Sequence, residues 1–332
     1  MNAPMRAVII EAFGEPKDVL TTSERPVPEP GPGEVRVATT LAPIHNHDLA
    51  IIRGIYGYRP ELPAVPGTEA VGSVDALGAG VTGLEVGQRV TVSGVQGAWA
   101  EYFVAKAGGV VPVPDGVSDA TASQLLAMPL SALMLLEDLK VEPGQWITIN
   151  AANGAVGRLL NLLARARGVH VLNLVRSEAA AKSLRELGFE PVLDTESADW
   201  VERAAEETGG EPIVRAVDQV SGKAANDLLT VLAPRGELIT FGALSGQPLV
   251  LDPGPIIFKQ AVVKGFWGSK RAEEIGGEER RRLITELVTL AAKGVLDLPV
   301  ETSYPLEQAA EAAAASERPG RNAKIALSVS GG

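Results

Sequence analysis

The stretch WITINAANGAVGRLLNLLARARGVHVLNLVR, residues 146–176, decides the fold class. The β-branched run at 146–151 predicts a strand, and the apolar pattern at 155–167, closed by Gly168, predicts a helix before a second strand at 169–175. A glycine turn between a strand and a helix lets backbone N–H groups at the helix start face a pyrophosphate. The sequence therefore predicts a dinucleotide-binding βαβ unit. Its predicted cofactor contacts are Asn153, Gly154, Ala155 and Val156.

The glycines of this loop match the usual three only in part. Gly154 and Gly157 are present, whereas Ala151 or Ala152 stands where the first glycine would make the tight turn. A plain strand–helix turn of an α/β fold is therefore an open alternative. The context of strand, glycine turn and helix favours the cofactor.

The residue that follows the second strand indicates which cofactor binds. An NAD-preferring domain places a carboxylate about 20 residues past the loop, where it accepts hydrogen bonds from the ribose hydroxyls. This chain has Arg176 followed by Ser177. An arginine can hold a 2′-phosphate with two hydrogen bonds, and the serine can add a hydroxyl donor, so the pair favours NADPH. The alternative is a solvated arginine, with Glu178 serving the ribose.

The chain changes character at about Ser118. Up to about Pro114, short β-branched runs separated by Pro and Gly predict a β-rich domain. The apolar-periodic stretch 119–140, capped at Ser118 or Asp119, predicts a helix, and strand and helix patterns then alternate to roughly Lys270. Such alternation predicts a parallel sheet with crossover helices. We predict an α/β protein with a doubly wound parallel sheet over 119–296 and a β-rich substrate domain built from 1–118 and 297–332.

Composition excludes several classes of function. The formal net charge of −11 argues against nucleic acid or an anionic membrane as partner, because both would repel the chain. The chain contains no cysteine, which excludes disulfides, thiolate metal sites and a cysteine nucleophile. No run approaches the ~18 apolar residues of a membrane span, and no charged leader precedes a long apolar core. We expect a cytoplasmic protein that acts on small molecules.

Several motifs are similar to those of known families. They are Ala42-Pro43-Ile44 with Asp48, GIYGYRPELPAVPGTEAVG (54–72), GQRV with GAWAEYF (97–103), NAANGAVG followed by NLVR, and IIFKQAVVKGFWGSK (256–270). With these motifs the whole chain resembles the medium-chain dehydrogenase/reductases, and more narrowly their 2-enoyl thioester reductases of the mitochondrial type. Some of the motifs are shared with quinone and alkenal reductases. The resemblance implies a GroES-like substrate domain, a Rossmann domain, an active-site cleft between them and a homodimer joined through the edges of the cofactor sheets.

The zinc branch of that superfamily carries a cysteine and a His-Glu pair at positions that here read His45 and Thr68-Glu69. The resemblance therefore implies a zinc-independent protein without a metal site. His45 and His47 could still share a metal, since residues two apart on an extended segment point to the same face. The third ligand would have to be a carboxylate such as Asp48 or Glu69. We favour a polar lining or turn role for this motif, with His45 as a candidate residue of the substrate site.

The resemblance also assigns candidate site residues. It maps the family's proton-donating tyrosine onto Tyr56, with surface packing of Tyr56 or Tyr58 as the alternative. Phe241 and Gly242 follow a predicted parallel strand, so we expect them at the carboxyl edge where the nicotinamide binds. The other candidates are Ser131 near the nicotinamide, Trp267 near the acyl-carrier end of the cleft or in the core, and Lys324 near the cofactor phosphate or solvated.

The chemistry that these residues suggest is reduction of an activated C=C bond. Without a zinc ion to polarise a carbonyl, reducing a simple ketone would lack its Lewis acid. An activated double bond needs less, because a donor can protonate the α-carbon or stabilise the enolate oxygen once hydride has reached the β-carbon. We therefore expect NADPH-dependent reduction of a 2-enoyl thioester or enone. The alternatives are a quinone oxidoreductase and a non-catalytic NADPH-binding protein that resembles the lens crystallins of this superfamily.

Overall fold

Two units make up the structure, a computed structural model that describes residues 4–318, 321 and 323–329. The terminal unit contains the chain up to Ala127 and the part from Ile284 onward, and the central unit runs from Met128 to Leu283. The boundaries predicted from the sequence, 118/119 and 296/297, lie before the first of these divisions and after the second.

The helices and strands are numbered in chain order. The strands are β1 Pro4–Ile10, β2 Leu20–Pro26, β3 Glu34–Pro43, β4 Glu69–Leu77, β5 Arg89–Ser93, β6 Tyr102–Lys106, β7 Val110–Pro112, β8 Trp146–Ile149, β9 His170–Val175, β10 Val192–Asp194, β11 Ile213–Asp218, β12 Glu237–Thr240, β13 Val262–Gly265, β14 Val300–Pro305 and β15 Lys324–Ser328. The helices are α1 Pro16–Val19, α2 Asn46–Ile52, α3 Asp119–Ala122, α4 Ala127–Leu139, α5 Ala155–Ala166, α6 Glu178–Glu186, α7 Trp200–Glu207, α8 Ala224–Val231, α9 Pro253–Lys259, α10 Gly268–Glu274, α11 Gly277–Ala292 and α12 Ala309–Ser316.

The terminal unit is built on a seven-stranded sheet. Its strands follow the order β14-β15-β3-β4-β5-β7, with β6 paired to β3, and β1 and β2 form a separate antiparallel pair. Alternate side chains of β3, such as Val35 and Val37, are buried, as expected for a strand with one face on a core. Strand β15 pairs antiparallel with β3, so the C-terminal part joins this unit, as we expected from the sequence.

The central unit contains a six-stranded sheet of parallel strands in the order β10-β9-β8-β11-β12-β13. Counted from the first strand of this unit, the order is 3-2-1-4-5-6, that of the Rossmann fold. The order reverses between β8 and β11, and ligands of such sheets bind in the crevice at the carboxyl ends of the strands at this point. The predicted doubly wound α/β fold is confirmed.

Most predicted elements of the central unit are present, and two helices were missed. Helices α9 and α10 have seven residues each, too few for a clear apolar period.

In both units, no helix among the described residues combines the length and apolar character that a membrane crossing requires.

The predicted helix over 119–140 is wrong in one respect, because α3 and α4 are separate helices. Ser118 caps α3 as predicted, its side chain accepting from the backbone N–H of Thr121. Between the helices the backbone N–H groups of Leu126 and Ala127 donate to Glu69 Oε1 at 2.7 and 2.8 Å. A buried carboxyl from another strand therefore satisfies N–H groups at the start of α4 that an uninterrupted helix would have bonded internally.

Glu69 is fully buried, and burial raises its pKa to about 8. In the unfolded chain a glutamate releases its proton at about pH 4.3, whereas the folded state keeps the proton of Glu69 up to about pH 8. Between these pH values Glu69 therefore destabilises the fold increasingly as the pH rises. Glu69→Gln keeps an acceptor oxygen for the two N–H groups and cannot ionise. The quantity to compare is the free energy of unfolding of the wild type minus that of Glu69→Gln. We expect this difference to decrease by ~1–4 kcal/mol as the pH rises from about 4.5 to 8.

Urea unfolding at a series of pH values measures this difference. Glu61→Gln, which changes an exposed carboxyl, is the matched control and should follow the wild type throughout. A constant difference between wild type and Glu69→Gln across this range would show that Glu69 is ionised in the fold.

Candidate active site

The predicted phosphate loop lies where the sheet order requires, between β8 and α5. Gly154 is the N-cap of α5, and its N–H donates to the carbonyl of Ala151 at 2.8 Å. Gly157 packs on the loop, and a Cβ added there would lie 2.7 Å from Ala152 Cα. Ala151 occupies the left-handed region with φ of 46°, a conformation that usually selects glycine. The tight turn is therefore made without the first glycine of the usual three.

The start of α5 is suited to an anion. Asn153, Gly154, Ala155 and Val156 are all partly exposed, and the first turn of the helix contains no acidic residue. The free N–H groups of a helix start and the helix dipole both favour a phosphate there. These features suit a pyrophosphate, and the contact of the loop with a cofactor stays a prediction.

Arg176 directly follows β9, and its side chain is exposed. In the described part of the chain it has no hydrogen-bond or ion-pair partner, so it can reach a ligand. The Ser177 hydroxyl caps α6 by accepting from the N–H of Ala180 at 3.4 Å. The alternative ribose partner, Glu178, is bonded to Arg185 at 2.8 Å. These contacts favour Arg176 over Glu178 as the group that meets the adenosine ribose.

A buried hydrogen-bond network joins the ends of β8 and β11. Asn150 Nδ2 donates to Asp218 Oδ1 at 2.7 Å, and Asn150 Oδ1 accepts from the backbone N–H of Gln219 at 2.7 Å. Asp218 Oδ1 also accepts from the N–H groups of Val220 and Ser221, both at 3.0 Å. The network fixes the turn after β11 against the strand that leads into the phosphate loop. We did not predict this network from the sequence, although each of two apolar strands is followed by or ends in a polar residue, Asn150 and Asp218.

The segment after β12 joins the same edge of the sheet. The N–H of Phe241 donates to the carbonyl of Asp218 at 2.7 Å. A Cβ at Gly242 would lie 2.9 Å from the carbonyl of Gln219, so a glycine is needed for this approach. Phe241 stacks with Phe266, with ring centroids 5.9 Å apart. Phe241 and Gly242 therefore lie at the carboxyl edge, as predicted, and their contact with a nicotinamide stays a prediction.

Ser131 and Trp267 occupy different environments in the central unit. Ser131 is buried on α4, where a Cβ added at Gly268 would overlap its hydroxyl. Trp267 precedes α10 and is 50% exposed, so the alternative that it belongs to the core is wrong. An exposed aromatic side chain is available to a ligand. The roles assigned to both residues by resemblance stay predictions.

In the terminal unit, His45 and Glu69 form a fully buried pair. His45 Nε2 lies 2.7 Å from Glu69 Oε2, and neither side chain has exposed surface. Burial lowers the pKa of His45 well below its usual value, and the nearby charge of Lys324 lowers it further. His45 was predicted to line the substrate site, and this is corrected, because the imidazole is enclosed and one ring nitrogen is already bonded. Lys324 is the first residue of β15, and its effect on the pKa of His45 shows that its charge lies near that ring. The predicted contact of Lys324 with a cofactor phosphate stays a prediction.

A second chain of contacts adjoins this pair. His47 Nε2 lies 2.7 Å from Thr68 Oγ1, and the Thr68 hydroxyl donates to Asp48 Oδ1 at 2.7 Å. Asp48 Oδ2 accepts from the backbone N–H of His45 at 2.9 Å, which closes the first turn of α2 as a capping box. The imidazole rings of His45 and His47 are stacked, with centroids 4.9 Å apart.

Tyr56 lies at the open end of this chain. It follows α2 and is half-buried, with its ring centroid 6.0 Å from that of His47. Tyr58 is 44% exposed, and its hydroxyl accepts from Gln96 Nε2. Of the two tyrosines in the loop, Tyr56 is therefore the one that contacts the buried polar cluster.

Comparisons with known proteins cover nearly the whole chain. A family model described as "Alcohol dehydrogenase GroES-like domain" matches residues 31–115, and one described as "Zinc-binding dehydrogenase" matches 155–282. The human mitochondrial enoyl-[acyl-carrier-protein] reductase is 31% identical over 98% of this chain and 89% of its own length. Its counterpart from Arabidopsis thaliana is 32% identical over 93% of this chain and 84% of its own length.

Solved structures with the same fold include quinone oxidoreductases. The Escherichia coli quinone oxidoreductase complexed with NADPH superimposes with a TM-score of 0.87 at 27% identity, over 98% of this chain and 100% of its own. The quinone oxidoreductase of Pseudomonas syringae gives a TM-score of 0.86, also at 27% identity, over 98% of this chain and 100% of its own.

The name of one matching model implies zinc, and the donors of this chain do not fit it. His45 Nε2 and Glu69 Oε2 are bonded to each other, and Glu69 Oε1 is bonded to two backbone N–H groups. Within residues 4–318, 321 and 323–329, no three His, Cys, Asp or Glu side chains are grouped to hold a metal ion. A zinc site needs three or four such donors with free lone pairs.

The sheet order, the phosphate loop and relatives with more than 30% identity over nearly the full length agree. With a GroES-like terminal part and a Rossmann central part, the chain belongs to the medium-chain dehydrogenase/reductase superfamily.

Proposed function

We propose that the protein reduces an activated C=C bond with NADPH, and that its substrate is a 2-enoyl thioester or an enone. The observation that carries this proposal is the position of Tyr56, a phenol beside a buried polar cluster, in a chain whose relatives include enoyl reductases. A phenol can supply the proton that reduction of a double bond needs when no metal is present.

The central unit supplies the proposed cofactor site. The α5 start would hold the pyrophosphate and Arg176 the 2′-phosphate, with Ser177 beside it. NADPH, when bound, supplies the hydride that adds to the β-carbon of the substrate. The phenol of Tyr56 then gives its proton to the α-carbon, and the charge that developed on the thioester or ketone oxygen is discharged.

Arg176 determines the preference for NADPH in this proposal. A charge-assisted hydrogen bond contributes ~1.5–3 kcal/mol, so we expect Arg176→Ala to weaken NADPH binding roughly 10- to 150-fold and NADH binding little. Fluorescence titration with each cofactor measures both constants. Lys182→Ala removes an exposed cation from the adjoining helix α6 and serves as control. Equal losses for NADPH and NADH in Arg176→Ala would remove the phosphate role.

We further propose that catalysis is independent of zinc. The support is the donor set, in which His45 Nε2 and Glu69 Oε2 are bonded to each other and Glu69 Oε1 is bonded to two backbone N–H groups. We expect elemental analysis of the purified protein to find no stoichiometric zinc, and a chelator to leave turnover unchanged. One tightly bound zinc per chain would contradict this and favour alcohol dehydrogenase chemistry.

Tyr56 is the acid of the proposed reaction. General acid catalysis contributes ~10²–10⁴-fold, so Tyr56→Phe should lower the turnover of crotonyl and longer enoyl thioesters by about that factor and leave the NADPH affinity unchanged. Stopped-flow oxidation of NADPH and a binding titration measure the two effects. Tyr58→Phe is the matched control, since it removes the neighbouring phenol. Full activity of both variants would exclude the proposed mechanism.

The second candidate function is quinone reduction, which the similarity to quinone oxidoreductase structures favours. A quinone oxygen can take its proton from water after hydride transfer, so this activity should depend little on Tyr56. Assays of enoyl thioesters, enones and quinones side by side separate the two functions. Cofactor binding without turnover of any of them would instead support the crystallin-like alternative.

We also propose that the protein forms a homodimer through the outer edge of the central sheet. Strand β13 is the last strand of that sheet, and the nearby apolar side chains of Ile257, Phe258 and Val262 are 64, 87 and 49% exposed. An exposed sheet edge with apolar neighbours is a pairing surface. We place the protein in the cytoplasm, as its composition led us to expect, and fractionation of the source cells tests this.

Disrupting that edge should separate the subunits. We expect the wild type to have about twice the mass of a single chain, 34.6 kDa, and Val262→Arg to shift towards the single-chain mass, because a buried unpaired charge is costly. Light scattering after gel filtration measures both. Leu187→Arg, at a side chain 49% exposed outside this edge, is the control. A wild type at the single-chain mass would exclude the dimer.

A further inference from the structure

The contacts of His47 show which way its hydrogen bonds run. Asp48 Oδ1 is a carboxylate acceptor, so the one hydroxyl hydrogen of Thr68 is donated to it, at 2.7 Å. Thr68 Oγ1 therefore accepts from His47, and Nε2 of His47 carries a proton in that 2.7 Å bond. The order His47, Thr68, Asp48 is thus a chain of donors that ends on a buried carboxylate. Nδ1 is then the ring atom of His47 that can gain and lose a proton.

The surroundings of His47 differ on its two sides. The fully buried ring of His45 stacks against it, and the half-buried ring of Tyr56 lies 6.0 Å from it, centroid to centroid. The His47 side chain keeps 18% of its surface exposed, whereas that of Asp48 has none. His47 can therefore exchange a proton with solvent, which the enclosed His45 cannot do.

A carboxylate lies close to the ring of His47. Asp48 Oδ1 lies 3.7 Å from His47 Nε2. The charge of Lys324 lowers the pKa of His45. The ring of His45 is bonded to Glu69. Of the two stacked imidazoles, His47 is the one that is linked to the Asp48 carboxylate through the Thr68 hydroxyl.

We propose that His47, oriented by Thr68 and Asp48, is a positioning residue that returns a proton to Tyr56 after each turnover. This rests on the proposed function. Tyr56 loses its proton to the α-carbon and becomes a phenolate. Protonated His47 then transfers its Nδ1 proton to that oxygen, and the neutral imidazole takes another proton from water. The relay moves protons only, the hydride carries the electron pair, and each turnover consumes one proton from solvent.

A relay of this kind acts after the first hydride transfer, and pre-steady-state kinetics test it. Thr68→Val removes the hydroxyl that links His47 to Asp48 and keeps the side-chain volume. In stopped flow with NADPH and an enoyl thioester, we expect a first turnover at the wild-type rate with an amplitude of one per chain, followed by a steady state slowed about 10- to 100-fold. Thr68→Ser restores the hydroxyl and should restore the steady state.

This pattern separates a relay from a merely structural contact. If Thr68 only supported the fold of the loop, Thr68→Val would slow the first turnover as well, and no burst would be seen. NADPH affinity and the thermal midpoint of each variant show that the fold is retained. If Thr68→Val is fully active while enoyl turnover still depends on Tyr56, the relay is overturned and the proposed function is not. Enoyl turnover that does not depend on Tyr56 would overturn the proposed function, and the relay with it.

A second measurement does not depend on activity. The chain has three histidines, His45, His47 and His170, so a long-range ¹H–¹⁵N spectrum of histidine-labelled protein contains three ring systems. His47→Gln identifies one of them, and the exposed His170 is the internal reference. We expect His47 to show a proton on Nε2 that Thr68→Val weakens and Thr68→Ser retains. A neutral ring protonated on Nδ1 instead would overturn the hydrogen-bond order on which the relay depends.

Discussion

The buried carboxyl of Glu69 is the interaction on which the polar interior of the terminal unit depends. One oxygen contacts His45 and the other receives two backbone N–H groups at the start of α4. Removing a carboxyl from water is costly, and the cost is reduced here by three hydrogen bonds and by protonation, which its raised pKa favours. With Nε2 bonded to Glu69, the imidazole of His45 can remain enclosed next to an apolar core.

The central unit also contains a buried carboxyl that is stabilised by hydrogen bonds, at the point where the strand order of its sheet reverses. Asp218 ends β11 and would be an isolated buried charge, but an amide and two backbone N–H groups surround it. The same bonds fix the turns that approach the predicted nicotinamide position. Because Phe241 also donates to the carbonyl of Asp218, three loops at the carboxyl edge share one support. Electrostatic preorganisation of this kind lets a site bind a charged cofactor without rearrangement.

The residues at the zinc-ligand positions of the superfamily differ in this chain from those of its zinc-dependent members. Where those members place ligands, this chain has a histidine and a carboxyl that bond to each other, and a threonine that passes a hydrogen bond from His47 to Asp48. The arrangement provides proton donors and acceptors, which agrees with the zinc-independent catalysis that we propose. Such groups suit the protonation of an enolate better than the polarisation of an unactivated carbonyl.

The sequence predicts the α/β class, most of the strand and helix order of the central unit, a candidate phosphate loop and a cationic residue after β9. These follow from local signals, because periodicity, glycine turns and the residue at a strand end act over a few neighbouring positions. Tertiary structure alone decided the break between α3 and α4, the enclosure of His45 and the contacts of Asn150 with Asp218 and of Thr68 with His47. Each of these joins residues at least 20 positions apart, and the sequence carries no local pattern for such a pairing. The roles of buried polar side chains depend on which partner the fold brings within hydrogen-bond distance, since burying a polar group without a partner costs free energy.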